Sequence, residues 1–242
     1  MTYVLVHGGG VTGRFWDRLL PYLDGPVLVV DLPGRGSHPA DLGTITVDDE
    51  VASVLRDIDV AGIADAIVLV AHSSGGLVVP GVVAALDGQV SRIVLSATLI
   101  PTEGGCGIEC MQERHREGLA AAFEVSQRDG NPIILPRNPD PDSVRRGYGG
   151  EPLDDETVRF VADPERLVAD TVHHYFQPVH WSAVGEVPVT YVINERDRPI
   201  PAPLQEAMIK RLPHPPTVFR LPGGHAPAVT NPKTFAAIVT ER

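Results

Sequence analysis

Val70-Ala71-His72-Ser73-Ser74-Gly75-Gly76 joins two unlike stretches. Before it, Ala66–Ala71 is apolar and rich in β-branched residues, the composition of a buried strand. After it, Leu77–Leu86 has helical composition, with Pro80 tolerable only near the first turn or at a kink. A sharp strand-to-helix turn lifts a serine hydroxyl above the sheet, and it needs small residues two positions before and two after the serine. Centred on Ser73, those flanks are Ala71 and Gly75, both small, although glycine is the usual first flank. Centred on Ser74, they are His72 and Gly76, and an imidazole is too large. Ser73 is therefore the candidate nucleophile, against the plainer reading of a serine that caps an ordinary helix.

Working outward, the same alternation continues. Tyr3–Val6, Val27–Val30, Arg92–Ser96, Val187–Ile193 and Thr217–Leu221 read as further strands. Helices are expected at Arg14–Leu23, from the N-cap Thr46 through Ile58, at Leu204–Leu212 and at Lys233–Val239. Continuous apolar strands alternating with helices imply a mostly parallel six-stranded sheet covered on both faces, an α/β fold. The pattern breaks between Ile100 and Val184, where Gly104-Gly105, Pro141 and Gly147 punctuate the chain. Helical pieces are expected there at Met111–Phe123 and Pro164–Phe176. A stretch of about 80 residues is too long for a plain loop. Residues 102–181 are expected to form a cap inserted after the fourth strand, and residues 1–101 and 182–242 the core.

Functional side chains in parallel sheets gather at the carboxyl ends of the strands. Of the 9 histidines, His225 follows the last strand, and the two glycines before it let its loop swing back towards Ser73. After the fifth strand, Asp197 and Glu195 are candidates for the acid that orients this imidazole, and Glu103, after the fourth strand, is the alternative. Two backbone N–H groups must face a developing oxyanion. Ser74 at a helix start supplies one, and the His7-Gly8-Gly9-Gly10 run supplies the other, with Gly9 the choice. That run has no Gly-Lys-Ser/Thr ending and no Gly-x-Gly-x-x-Gly spacing, so it is not a phosphate loop. His173, His174 and His180 have no matching carboxylate or thiolate set, so no metal is expected and no cofactor is needed. Gly8, Trp16 and Trp181 are expected in the substrate pocket, and Tyr148 and Tyr175 are further aromatic candidates.

Composition narrows the function classes. The chain has 20 Lys+Arg against 31 Asp+Glu, a formal net charge of -11, which repels nucleic acid and anionic lipid. With 43% hydrophobic and 21% charged residues it has the make-up of a globular domain with a real core. Its 2 cysteines, Cys106 and Cys110, build no disulfide framework and read as free buried thiols. No basic stretch precedes an apolar run at the N-terminus, and no run approaches a membrane span, so a cytoplasmic location is expected. The expected partners are a small-molecule substrate and, at most, a second copy of the chain.

Taken together, His7-Gly8-Gly9, Trp16, Asp31-Leu32-Pro33-Gly34-Arg35-Gly36, Ala71-His72-Ser73-Ser74-Gly75-Gly76, Asp197 and Gly224-His225 resemble the α/β-hydrolase superfamily. Within it, the chain is similar to the hydroxynitrile lyase and methylesterase branch and its bacterial esterase relatives. The resemblance implies a Ser73-Asp197-His225 triad, with Gly9 and Ser74 as oxyanion donors. It implies hydrolysis of a carboxylic ester or lactone of a small, fairly apolar molecule through an acyl-enzyme. Two other roles fit the same fold: non-hydrolytic chemistry in small-molecule biosynthesis (lyase, cyclase or dehydratase), and a ligand-binding receptor. Hydroxynitrile lyases of this branch carry a threonine after the oxyanion-loop histidine and a lysine beside the catalytic one. Here those positions are Gly8 and Ala226, which favours hydrolysis.

Overall fold

The structure is a computed structural model that describes residues 1–129, 133–134, 141–148 and 153–241. Six strands form the main sheet: β1 (Thr2–Val6), β2 (Val27–Val30), β3 (Ile67–His72), β4 (Val90–Ser96), β7 (Val189–Asn194) and β8 (Thr217–Leu221). Their spatial order is β2-β1-β3-β4-β7-β8, and every pairing among them is parallel. Val6 lies opposite Ala71, His72 opposite Ser96, and Asn194 opposite Leu221. This register brings the loops after β1, β3, β7 and β8 to one edge of the sheet.

Alternate side chains of each strand leave on opposite faces, so the sheet has two cores. Val4, Val6, Leu69, Ala71, Ile93 and Leu95 join one buried cluster. Tyr3, Leu5, Val68, Val70, Val94 and Val192 join the other. The helices that cover these faces start as their sequences dictate. Helix α1 (Val47–Val60) begins with a reciprocal cap, in which Thr46 Oγ1 accepts from the Asp49 N–H at 3.1 Å and Asp49 Oδ2 accepts from the Thr46 N–H at 2.9 Å. Helix α2 (Val79–Ala85) holds Pro80 in its first turn, where the missing N–H costs nothing.

Two expected helices take other forms. Arg14–Leu23 is a pair of 3-10 turns, Gly13–Trp16 and Leu20–Tyr22. Pro21 has no N–H to continue a helix, and the backbone closes three-residue bonds such as Leu19 N–H to Trp16 C=O at 2.8 Å. Pro164–Phe176 is instead a short strand, β6 (Asp170–Thr171), and a 3-10 turn, His173–Phe176. The strand pairs antiparallel with β5 (Ile133–Ile134), and Val11 bridges Leu167, so this segment's backbone bonds laterally rather than along a helix. The expected Met111–Phe123 helix is present as α3 (Glu113–Asp129). Helices α4 (Pro141–Tyr148) and α5 (Asp155–Ala162) complete the stretch between β4 and β7. The remaining helices are α6 (Ala202–Ile209), α7 (Pro227–Thr230) and α8 (Pro232–Val239). Among the described residues no helix is long and apolar enough to cross a membrane.

Cys106 and Cys110 are free; Cys106 precedes a 3-10 turn, Gly107–Cys110, and Cys110 ends it. Cys110 is buried as expected, whereas Cys106 is only half-buried. Burial pushes the Cys110 thiol up to about 12, so it stays a neutral, unreactive group.

Candidate active site

Ser73 has φ +52°, a left-handed conformation that a serine holds only when its surroundings impose it. Those surroundings are close. A Cβ on Gly75 would overlap the His7 carbonyl, and one on Gly76 would overlap the Thr98 side chain. The Ser73 carbonyl accepts from the Leu99 N–H at 3.1 Å, which fixes the turn to the chain after β4. This is the strained strand-to-helix elbow expected from the small flanking residues.

His225 and Asp197 meet beside it. His225 Nδ1–H donates to Asp197 Oδ2 at 2.7 Å, and the Asp197 side chain is fully buried. Asp197 Oδ1 accepts from the Ile200 N–H at 2.8 Å. Gln205, wholly buried, donates to the Ile200 carbonyl at 2.6 Å and to the Asn194 carbonyl at 3.2 Å, which clamps the loop that carries the acid. Neither alternative acid reaches the histidine. Glu103 lies at the surface, where it accepts from Ser182 N–H at 3.0 Å and pairs with His180 at 3.2 Å. Glu195 is exposed beside Arg220.

The histidine that precedes Ser73 is also placed. His72 Nε2–H donates to the His225 carbonyl at 2.8 Å, and its ring stacks on Phe15 at 4.7 Å. Burial, with the His225 ring 4.6 Å away, drives its pKa well below the usual histidine value. His7 is neutral too. Burial and the Arg35 guanidinium lower it to about 4. Its Nδ1–H donates to the Gly8 carbonyl at 2.7 Å, and its Nε2 accepts from the Leu32 N–H at 3.1 Å.

Ser73, His72 and His225 open onto one cavity of about 600 Å³, within the range of small-molecule sites. Its walls are chiefly apolar, with Val11, Phe15 and Ile200 from the core and Met111, Leu119 and Leu167 from the 102–181 stretch. Gly9 and Tyr175 line it as well. The three expected pocket residues do not. Gly8 is buried behind Ser73, where a Cβ would lie 2.8 Å from the Ser73 Cβ. Trp16 is fully buried, edge-on to Phe15 at 4.9 Å and parallel to Phe235 at 6.5 Å. Trp181 is buried in the core on the other side of the sheet. Large apolar rings so close to the sheet go to its cores before they go to the cavity. The Tyr148 side chain lies outside the described residues.

Sequence reasoning missed three polar residues of the cavity wall, Arg114, His115 and Asp170. Asp170 is 2% exposed and lines the cavity, and it is held by Arg35, 135 residues away in the chain. Arg35 also pairs with the wholly buried Glu50 at 2.8 Å, and His174 bridges to Glu50 at 3.1 Å. Burial alone would raise Glu50, but His174 and Arg35 outweigh it and bring it to about 2. No local motif announces such a network, because its members meet only in the folded chain.

Fold and site together define an enzyme-like member of a known class. The chain belongs to the alpha/beta hydrolase family, whose model matches residues 3–238. It is 23% identical over 261 residues to putative methylesterase 11 of Arabidopsis thaliana, a match that covers 99% of this chain and 63% of that protein. It is 32% identical over 140 residues to the 2-heptyl-3-hydroxy-4-quinolone dioxygenase AqdC2 of Rhodococcus erythropolis, covering 55% of this chain and 51% of that one. Among solved structures, an extracellular α/β-hydrolase from a Paenibacillus species superposes with a TM-score of 0.79 at 20% identity, over 98% of this chain and 97% of that one. The matches span between 38% and 63% of the length of the curated relatives.

Proposed function

We propose that the protein is a serine hydrolase that cleaves a carboxylic ester or lactone of a small, fairly apolar molecule through an acyl-enzyme. The observation that carries this reading is the 2.7 Å bond from His225 Nδ1 to Asp197 Oδ2, at the edge of a cavity that Ser73 also lines. With Nδ1 engaged, His225 Nε2 is the nitrogen that takes the Ser73 proton as the hydroxyl attacks the carbonyl, and returns it to the leaving alcohol. Asp197 fixes the tautomer and stabilises the imidazolium. Backbone N–H groups of Gly9 and Ser74 receive the charge on the carbonyl oxygen. Water then attacks the acyl-Ser73 ester with His225 again as base. The 102–181 stretch acts as a cap, and its apolar cavity residues select the acyl or alcohol group. The methylesterase name of the Arabidopsis relative supports the ester as substrate class.

The dioxygenase name of the Rhodococcus relative keeps a non-hydrolytic use of the same residues as the rival reading. Turnover of a panel of p-nitrophenyl esters and lactones by the protein and by Ser73→Ala separates the two. Hydrolysis that Ser73→Ala abolishes supports the esterase. Silence on every ester and lactone in the panel supports the rival.

A further inference from the structure

Asp170 is the carboxylate in the cavity wall that the proposed acyl transfer does not use. Its two oxygens face different surroundings. Oδ1 accepts from Arg35 and from the Thr171 N–H, the latter at 2.9 Å. Arg35 is itself fixed, because Nη1 donates to Glu50 at 2.8 Å and to the Pro33 carbonyl at 3.0 Å, and its side chain is wholly buried. The network therefore holds Asp170 in one orientation and offsets its charge. Oδ2 lies on the other side, 4.0 Å from His174 Nε2 and against Gly9, where a Cβ would overlap it. The same missing Cβ would lie 2.7 Å from the Tyr175 hydroxyl and 3.1 Å from Ser74 Oγ. Ser74 is 2% exposed, and its Oγ has no hydrogen-bond partner among the described residues. Three polar atoms thus converge on one glycine of a cavity whose other walls are mostly apolar.

A few fixed polar groups in an apolar pocket set the orientation and identity of the ligand. An ionised carboxylate only accepts hydrogen bonds, and each of its oxygens has room for two donors. Oδ2 can therefore take a donor from a ligand whatever the Tyr175 hydroxyl does. Gly9 is the glycine whose N–H faces the substrate carbonyl oxygen in the reading above. Gly9 and Asp170 line the same cavity, so a ligand that presents its carbonyl to Gly9 has Oδ2 within the same walls.

We propose that Asp170 Oδ2, with the Tyr175 hydroxyl beside it, is a specificity site that binds an O–H or N–H donor carried by the substrate next to its scissile carbonyl. This rests on the esterase reading and names its substrate class: 2-hydroxy or 2-amino esters rather than plain alkyl or aryl esters. The Arg35-Glu50-His174 cluster is the buried support that keeps the carboxylate in place.

The test compares three methyl esters that differ at one position: 3-phenyllactate, phenylalanine and 3-phenylpropanoate. Each is measured as a substrate and as protection of Ser73 from a fluorophosphonate probe. A charge-assisted hydrogen bond corresponds to a preference of about 10- to 100-fold for a donor-bearing ester over 3-phenylpropanoate. Preference for the phenyllactate ester assigns a hydroxyl, and preference for the phenylalanine ester assigns an ammonium or amine. Asp170→Asn keeps its oxygen on Arg35 and Thr171 and turns a donor towards the ligand, so the preference should fall below about threefold. If that variant does not fold, Tyr175→Phe carries the test, with at least a threefold fall in the preference expected. Equal use of the three esters by the native protein, or a preference that the folded variant retains, overturns the proposal. Ser73 that labels while no preference appears sinks this inference alone. Ser73 that neither labels nor turns over any ester sinks the esterase reading, and the inference with it.

Discussion

His72 holds His225. Its Nε2–H reaches the His225 carbonyl at 2.8 Å, so the residue before the elbow serine fixes the loop that carries the proposed base. The bond requires a proton on Nε2, which leaves Nδ1 buried without a partner among the described residues. A second donor, Asn194 Nδ2, reaches the same carbonyl at 3.4 Å.

Removal of the His72 donor should therefore slow the chemistry more than it weakens binding. His72→Phe keeps the stack on Phe15 and loses the bond, and kcat should fall about tenfold, the worth of one net hydrogen bond in the transition state. KM should change little, and His72→Gln, which can still donate, should recover part of the rate. A rise in KM with unchanged kcat would mean that His72 acts on the ligand as part of the pocket wall and not through His225.

Asp197→Asn should cost far more. In the serine-protease template, loss of the correct imidazole tautomer lowers kcat by about 10⁴-fold. Glu103→Gln should stay within about threefold of the native protein, because Glu103 only organises a surface turn with Ser182 and His180. Steady-state kinetics of the two variants on one ester decides the matter, and the reverse ranking would move the acid to the end of β4.

The neutral histidine at the start of the glycine loop after β1 predicts acid sensitivity. His7 has a folded pKa of about 4 against 6.5 for the free side chain, so between these values the unfolded chain binds more protons. Its contribution is complete above pH 6.5 and is lost as pH falls through about 4. At 1.36 kcal/mol per unit this amounts to about 3 kcal/mol. Glu50, at about 2 against 4.5, extends the loss to lower pH with the same sign. Urea midpoints at pH 7.5 and 4.5 should drop more for the native protein than for His7→Asn. Equal drops would mean that another group controls the window.

Cyanohydrin cleavage should be absent. The lyases of the similar branch place a threonine and a lysine where this chain has Gly8 and Ala226. Gly8 is packed against Ser73, and Ala226 is buried. Neither offers a hydroxyl or a positive charge to a departing cyanide. A cyanide-selective electrode should record no release from mandelonitrile above the rate of the Ser73→Ala variant. Release that depends on Ser73 would reverse the assignment.

The six strands and the meeting of Ser73, Asp197 and His225 at one sheet edge were legible because each is written locally. Apolar runs such as Val27–Val30 fix strands, and small flanks such as Gly75 fix an elbow. The 102–181 stretch was less legible. There, β6 takes its shape from β5 and from Arg35, which are distant in sequence, and no periodicity records such ties. The same reason hid Asp170. Trp16 and Trp181 failed in the opposite sense, since aromatic size marks a residue for burial as readily as for a binding site.

The central claim is that Ser73 becomes acylated. The most direct measurement is rapid acid quench of the protein with p-nitrophenyl acetate, followed by intact mass and peptide mapping. The account predicts one acetyl group on Ser73, absent from Ser73→Ala. Release of p-nitrophenol with no acyl group on Ser73, or with the group on another residue, would contradict it.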